Sequence, residues 1–206
     1  MTDRSTLEQI FGENTKTIER YVDILIDRGI AWGLLGPREA EAVWPRHILN
    51  SAAVRELVPE GTTVVDVGSG AGLPGIPLAL SRSDLEVVLL EPLLRRVTFL
   101  QGVIDELGLA PRVTVCRGRA EEHGVRYGAV LSRAVAPLAR LIGWCAPLRS
   151  DDGQLLAMKG SSADREITEA RPVLAEHDLT AQVITVGGDA AGATATVVRM
   201  VPRQMR

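Results

Sequence analysis

The stretch from Thr62 to Pro77, TTVVDVGSGAGLPGIP, leaves this chain few folds to choose from. Val64, Val65 and Val67 make a β-branched run with the length of a buried parallel strand, and the glycines behind it stop the strand at once. Asp66 followed by Gly68, Gly70 and Gly72 reads as a tight turn under a ligand, because a Cβ at such positions would occupy the ligand's space. The turn is expected to form the floor of a nucleoside site. The plain alternative is a glycine-rich turn with no ligand.

The spacing of the glycines selects the nucleoside. A dinucleotide fingerprint, GxGxxG, wants its third glycine where this chain has Leu73, whereas here the third glycine is Gly72. That spoils a pyrophosphate cradle and suits S-adenosylmethionine (SAM), which needs a carboxylate near its sulfonium amino acid. Asp66 stands just before the glycines to serve there. Glu86 to Glu91, EVVLLE, is a second buried strand with an acid at its end, about 25 residues after Asp66. An acid on the next strand meets ribose hydroxyls at an offset of roughly twenty residues, so Glu91 is the ribose candidate. Its plain alternative is a solvated strand-end glutamate.

The rest of the chain alternates strand and helix. Residues 1 to 58 read as four helices: one opened by a capping box of Ser5 and Glu8; one after Asn14 with Ile18, Tyr21, Val22, Leu25 and Ile26 as its stripe; one opened by Pro37; and RHILNSAAVREL. No Gly, Ser or Pro linker follows, so this extension is expected to pack on the SAM-binding domain at 59–206. A short helix follows the glycine turn. The helix after EVVLLE is expected to turn Leu94, Val97, Leu100, Ile104 and Leu107 inward and to stop at Gly108. VTVC, YGAVLSR and GQLLAMKG are further strands, with the loop GRAEE after the third strand and the helix PLARLIGWCAPL after the fourth. No element is read between Gly160 and Leu179. LTAQVITV and ATATVVRM, around a glycine-rich break at 187–192, make an antiparallel edge hairpin. The expected fold is α/β and Rossmann-like: a mostly parallel seven-stranded sheet with a C-terminal antiparallel hairpin and an N-terminal helical extension.

Composition removes several classes of function. Cys116 and Cys145 are the only cysteines, and His47, His123 and His177 are scattered, so neither a disulfide framework nor a metal set is expected. The start is charged and polar, and no apolar run reaches membrane-spanning length, which points to a cytoplasmic protein. A net charge of -3 argues against a generic nucleic-acid binder, so any RNA must meet a local basic face.

With its parts placed, the chain resembles the small-subunit ribosomal RNA methyltransferase G family, also called glucose-inhibited division protein B. RHILNS, DVGSGAGLPGIPLAL, LLEPLLRRVTFL, GRAEE, LSRAVAPL and AMKG carry the resemblance. It implies a Rossmann-like class I SAM-dependent methyltransferase that transfers methyl from SAM to N7 of guanine 527 in the 530 loop of 16S rRNA, acting as a monomer on the 30S subunit or an assembly intermediate. Carried over by position, it implies SAM contacts at Gly68, Leu73, Ala120, Glu121 and Arg133. Arg46, His47, Arg133 and Lys159 are candidates for RNA contact, with structural roles as the alternative for His47 and Arg133. Asn50 departs from the family pattern, in which an acid is common at this place. No catalytic acid or base is expected: guanine N7 bears a lone pair and no proton, so positioning carries the reaction. After the fourth strand the chain reads SRAVAP, not the Asn or Asp, Pro, Pro, aromatic sequence of amino-group methylases, and neither cysteine follows a proline. Two other readings stay open: a SAM enzyme acting on a small molecule or protein, and a non-catalytic RNA-binding accessory protein.

Overall fold

The computed structural model describes residues 3–188 and 193–203. Its seven strands are β1 (Thr63–Val67), β2 (Glu86–Glu91), β3 (Val113–Arg117), β4 (Tyr127–Arg133), β5 (Arg149–Lys159), β6 (Leu179–Gly188) and β7 (Ala193–Pro202). They form one sheet in the order β3-β2-β1-β4-β5-β7-β6. The first five run parallel, and β7 enters antiparallel between β5 and β6. The expected sheet and edge hairpin are therefore both present. Residues 189–192 of the glycine-rich break lie outside the described residues.

Period-two alternation along β1 distributes its side chains between two cores. Val64 joins a layer with α4 (Gly75–Ser81), α5 (Leu94–Leu107) and the N-terminal helices, whereas Val65 and Val67 join α6 (Leu138–Cys145) and α7 (Ala163–Glu176) on the other face. Asp66 shares the face of Val64, and Glu91 by the same alternation shares that of Leu89. Both acids therefore point to the side on which α4 and the glycine turn lie. α7 is the element that the sequence reading lacks. Its charged surface and its internal Pro172 mask a sparse stripe in which Ala163, Ala170 and Leu174 are buried.

The N-terminal block consists of α1 (Arg4–Phe11), α2 (Thr15–Ile24), which continues as a wider π-wound turn at Leu25–Gly29, and an irregular helical run from Pro37 to Leu57 containing α3 (Asn50–Ala53). Leu7, Ile18, Tyr21 and Ile48 share one core with Val64 and Leu89. Polar bonds lock the contact. Asn14 donates to the Leu80 carbonyl at 3.0 Å, Arg20 bonds Glu106 of α5, and Asn50 donates to the Thr194 carbonyl at 2.7 Å. The last bond needs an N–H that an ionised acid at position 50 would lack.

Three local expectations are corrected. Ser5 and Glu8 form no capping box: the serine hydroxyl bonds Asp3, and Glu8 pairs with Arg4 in the same helix. Ile26 is 39% exposed, because the π-wound turn rotates it out of the stripe. In α5 the buried face is Phe99, Leu100, Val103 and Ile104, while Leu94 is 57% exposed at the helix start.

One close approach fixes the spacing between α4 and the sheet. A Cβ built on Gly75 would stand 2.4 Å from Leu89 Cδ2 and 2.9 Å from Asp66 Oδ2. Gly75, rather than Gly72, thus supplies the close helix-to-strand packing that the last glycine gives in dinucleotide folds. Gly75→Ala is expected to destabilise the protein by about 1–3 kcal/mol through overpacking. An unchanged denaturation midpoint would show that the helix moves aside freely.

Candidate functional site

The carboxyl ends of β1, β2 and β4 lie level, with Val67 opposite both Leu90 and Ser132, so the next residues of all three strands meet at one edge. Those residues are Gly68, Glu91 and Arg133. Gly68 and Ser69 donate backbone N–H bonds to the Leu90 carbonyl at 2.8 and 3.3 Å, which folds the glycine turn over the end of β2. Tyr21, fully buried in α2, donates its hydroxyl to the Ala71 carbonyl at 2.9 Å and props the turn from the N-terminal side.

The two acids divide the work of holding this turn. Glu91 Oε2 accepts the Gly70 N–H at 3.0 Å, and Oε1 accepts the Leu93 N–H at 3.1 Å. Each oxygen keeps a further lone pair. Glu91 lines a cleft of about 470 Å³ together with Gly68, Leu93, Ala120, Glu121, Val135 and Trp144. Asp66 lies deeper. Its Oδ2 accepts the Gly75 N–H at 3.0 Å, its Oδ1 has no partner, and its side chain lines neither this cleft nor its neighbour. Burial pushes its carboxyl up to about 7, against the Gly75 hydrogen bond and the Arg133 charge.

A second cleft of about 280 Å³ adjoins the first and shares Gly68, Arg96 and Ala134 with it. Ser69, Gly70, Ala71 and Leu73 line it from the turn, and Leu34, Leu35, Glu39 and His47 line it from the N-terminal block. Gly70 holds φ +58°, and a Cβ built there would meet only the Gly68 carbonyl oxygen, at 3.8 Å. The turn therefore presents bare backbone to this cleft. Arg96, 3.6 Å from Glu91 Oε2, stands at the junction of the two clefts.

Arg133 is committed to protein partners. It donates to Ser51 Oγ at 2.9 Å, to the carbonyls of His47 and Arg46 at 3.2 Å each, and to His47 Nδ1 at 2.6 Å. That acceptance places the imidazole proton on Nε2, which lies 3.3 Å from Glu39 Oε1 but off the line of a hydrogen bond. Burial, and then the Arg133 charge, hold His47 below its ordinary range and so neutral. Arg133 thus clamps β4 to the N-terminal block, the structural alternative weighed for it, while still lining the second cleft. Lys159 donates to the Ala136 carbonyl and pairs with Glu166, both at 2.7 Å, with its side chain 12% exposed. Arg46 remains at the surface.

A family model described as rRNA small subunit methyltransferase G (GidB) matches residues 14–191. The chain belongs to the rRNA small subunit methyltransferase G family. It is similar to the Ribosomal RNA small subunit methyltransferase G of Mycolicibacterium paratuberculosis, 53% identical over 92% of this chain and 78% of that protein. The corresponding protein of Thermobifida fusca is 51% identical over 93% of this chain and 82% of its own length. Among solved structures, M. jannaschii TYW2 in complex with AdoMet superposes with a TM-score of 0.59 at 17% identity, covering 75% of this chain and 74% of that chain. The S-adenosylmethionine-dependent methyltransferase SibL in its apo form gives a TM-score of 0.62 at 15% identity, covering 81% of this chain and 58% of that chain. The fold is that of the Rossmann-like class I SAM-dependent methyltransferases, as this member's helix–strand alternation implies.

Several residues of this site are invisible in a motif reading. Glu39, Arg96 and Trp144 reach the clefts, and Tyr21 props the turn between them and the N-terminal block, from helices whose sequences look like ordinary packing, and only the register of the strand ends brings them together.

The raised carboxyl of Asp66 gives a signed expectation. Between about pH 4 and 7 the folded protein holds a proton there that the unfolded chain releases, so its stability falls as pH rises through that window. Relative to an Asp66→Asn variant, the wild type should lose stability, on the order of a few kcal/mol, between pH 5 and 8. Parallel denaturation curves for the two proteins at both pH values would contradict this assignment.

Proposed function

We propose that the chain transfers a methyl group from SAM to N7 of a guanine in 16S rRNA, within the 30S subunit or an assembly intermediate. Membership of the rRNA small subunit methyltransferase G family carries the reading, and the two joined clefts give it a physical form. SAM supplies an electrophilic methyl group on a sulfonium centre. The first cleft suits its adenosine: Leu93, Val135 and Trp144 offer apolar surface, Glu91 keeps lone pairs for ribose hydroxyls, and Ala120 and Glu121 border the space with backbone groups. The bare turn at Gly68 and Gly70, with Leu73, suits the amino-acid end. Asp66 supports that end from below, through Gly75.

The rest is positioning. N7 needs no proton removed, and within the second cleft His47 is neutral with its Nδ1 already occupied. Exposed Arg46 is suited to RNA phosphate, at the rim of the segment that Arg133 clamps. N7 of a paired guanine lies in a deep, narrow groove that side chains cannot read, so the target must be a loop or a splayed base. With a net charge of -3, the chain has little to hold naked RNA nonspecifically.

Two measurements test the reading. Glu91→Ala should weaken SAM about 10- to 150-fold by calorimetry, since hydrogen bonds to a charged group contribute about 1.5–3 kcal/mol. Unchanged affinity removes Glu91 from the site. Methyl incorporation should be much faster into 30S particles than into protein-free 16S rRNA or a short hairpin carrying the loop. Equal rates on all three would mean that local sequence suffices.

A further inference from the structure

We propose that Glu39 is the specificity-determining residue for guanine, its carboxylate reading the Watson–Crick edge of the target base in the second cleft. The proposal rests on the methyl-transfer reading above and names the residue that makes it base-specific. Among the residues lining this cleft, Glu39 is the single carboxylate, and it shares the cleft with the glycine turn. Its side chain is 38% exposed. The Gly36 N–H, bonded to Oε2 at 2.9 Å, fixes the orientation of the group and leads the causes that hold its carboxyl below the usual range. Glu39 therefore presents a charged, oriented acceptor pair, with a lone pair still free on each oxygen.

The reaction dictates which edge of the base is left to read. N7 must face the methyl donor, so the Hoogsteen edge is spent on the reaction and recognition falls to the opposite side of the ring. On that side guanine carries N1–H and the N2 amino group, two donors side by side, which match a carboxylate in bidentate fashion. Adenine places an unprotonated N1 there, so its lone pair would face the carboxylate. The cleft of about 280 Å³ is lined both by Glu39 and by the turn at Gly68 and Gly70 that would border the cofactor's amino-acid end. A guanine whose Watson–Crick edge rests on Glu39 turns N7 away from that carboxylate, towards the cofactor beside the turn.

The experiment uses 30S particles reconstituted with 16S rRNA carrying guanosine or inosine at the target position. Inosine keeps N1–H and N7 and lacks only the N2 amino group. The wild type should favour guanosine over inosine about 5- to 150-fold in kcat/KM, the discrimination that one bidentate pair gives. Glu39→Gln retains an acceptor for the Gly36 N–H but replaces the other oxygen with a donor. It should bring guanosine down to the inosine level, with SAM affinity by calorimetry and the melting temperature unchanged. A wild type that methylates guanosine at N7 yet treats both nucleosides alike, or an E39Q enzyme that keeps the preference, overturns the proposal. A wild type that methylates no guanine N7 in the particle overturns instead the reading on which it rests.

Discussion

Two buried carboxylates holding one turn of bare backbone are the constraint on which the rest of this molecule depends. Asp66 fastens the start of α4 through Gly75, and Glu91 fastens the middle of the turn through Gly70. A backbone loop at the end of a parallel sheet carries N–H groups that must be satisfied, and here they are satisfied from beneath. The upper side of the turn stays free to border both clefts. Asp66 keeps an unpartnered oxygen for this, and its raised carboxyl shows that the arrangement has an electrostatic cost.

The N-terminal block completes the site and is more than a cap. Tyr21 props the turn, and Arg133 binds four acceptors on residues 46–51, so the second cleft exists only because helices and sheet are locked together. Arg133 is the joint between the two. A guanidinium has five donors in a fixed fork, and here a neighbouring helix takes up most of them. Lys159 shows the same principle on the other side of β4, where Glu166 and the Ala136 carbonyl take up its charge.

The order of events that this geometry allows is simple. A molecule in the first cleft reaches the second past Gly68 and Arg96, the residues common to both apart from Ala134. On the proposed transfer, a base entering the second cleft meets residues of both the N-terminal block and the glycine turn. No proton would have to leave N7, so the enzyme's task would reduce to holding two partners in line. Rigid support under the turn serves that task better than a titrating side chain would.

How much was legible in the sequence follows from the range of the signals. Val64 to Gly72, EVVLLE and the edge hairpin are local patterns, strand periodicity stopped by glycine, and they determined the strands, the glycine turn and the placing of Asp66 and Glu91 at strand ends. The GxGLPGIP phrase with RHILNS and LSRAVAPL carried the family. α7 escaped because its buried stripe is sparse and carries Pro172, and in α5 Leu100 and Ile104 are inward as read while Leu94, exposed at the helix start, resembles a core leucine. What only the tertiary structure decided is how far each acid reaches and what each base already holds. Asp66 lies below the floor and Glu91 lines the cleft; Arg133 and Lys159 are spent on protein partners; Glu39 lines the same cleft as Gly68, from which 28 intervening positions separate it. Such facts depend on strand register and helix packing between distant segments, and a sequence states residue order without stating which ends lie level.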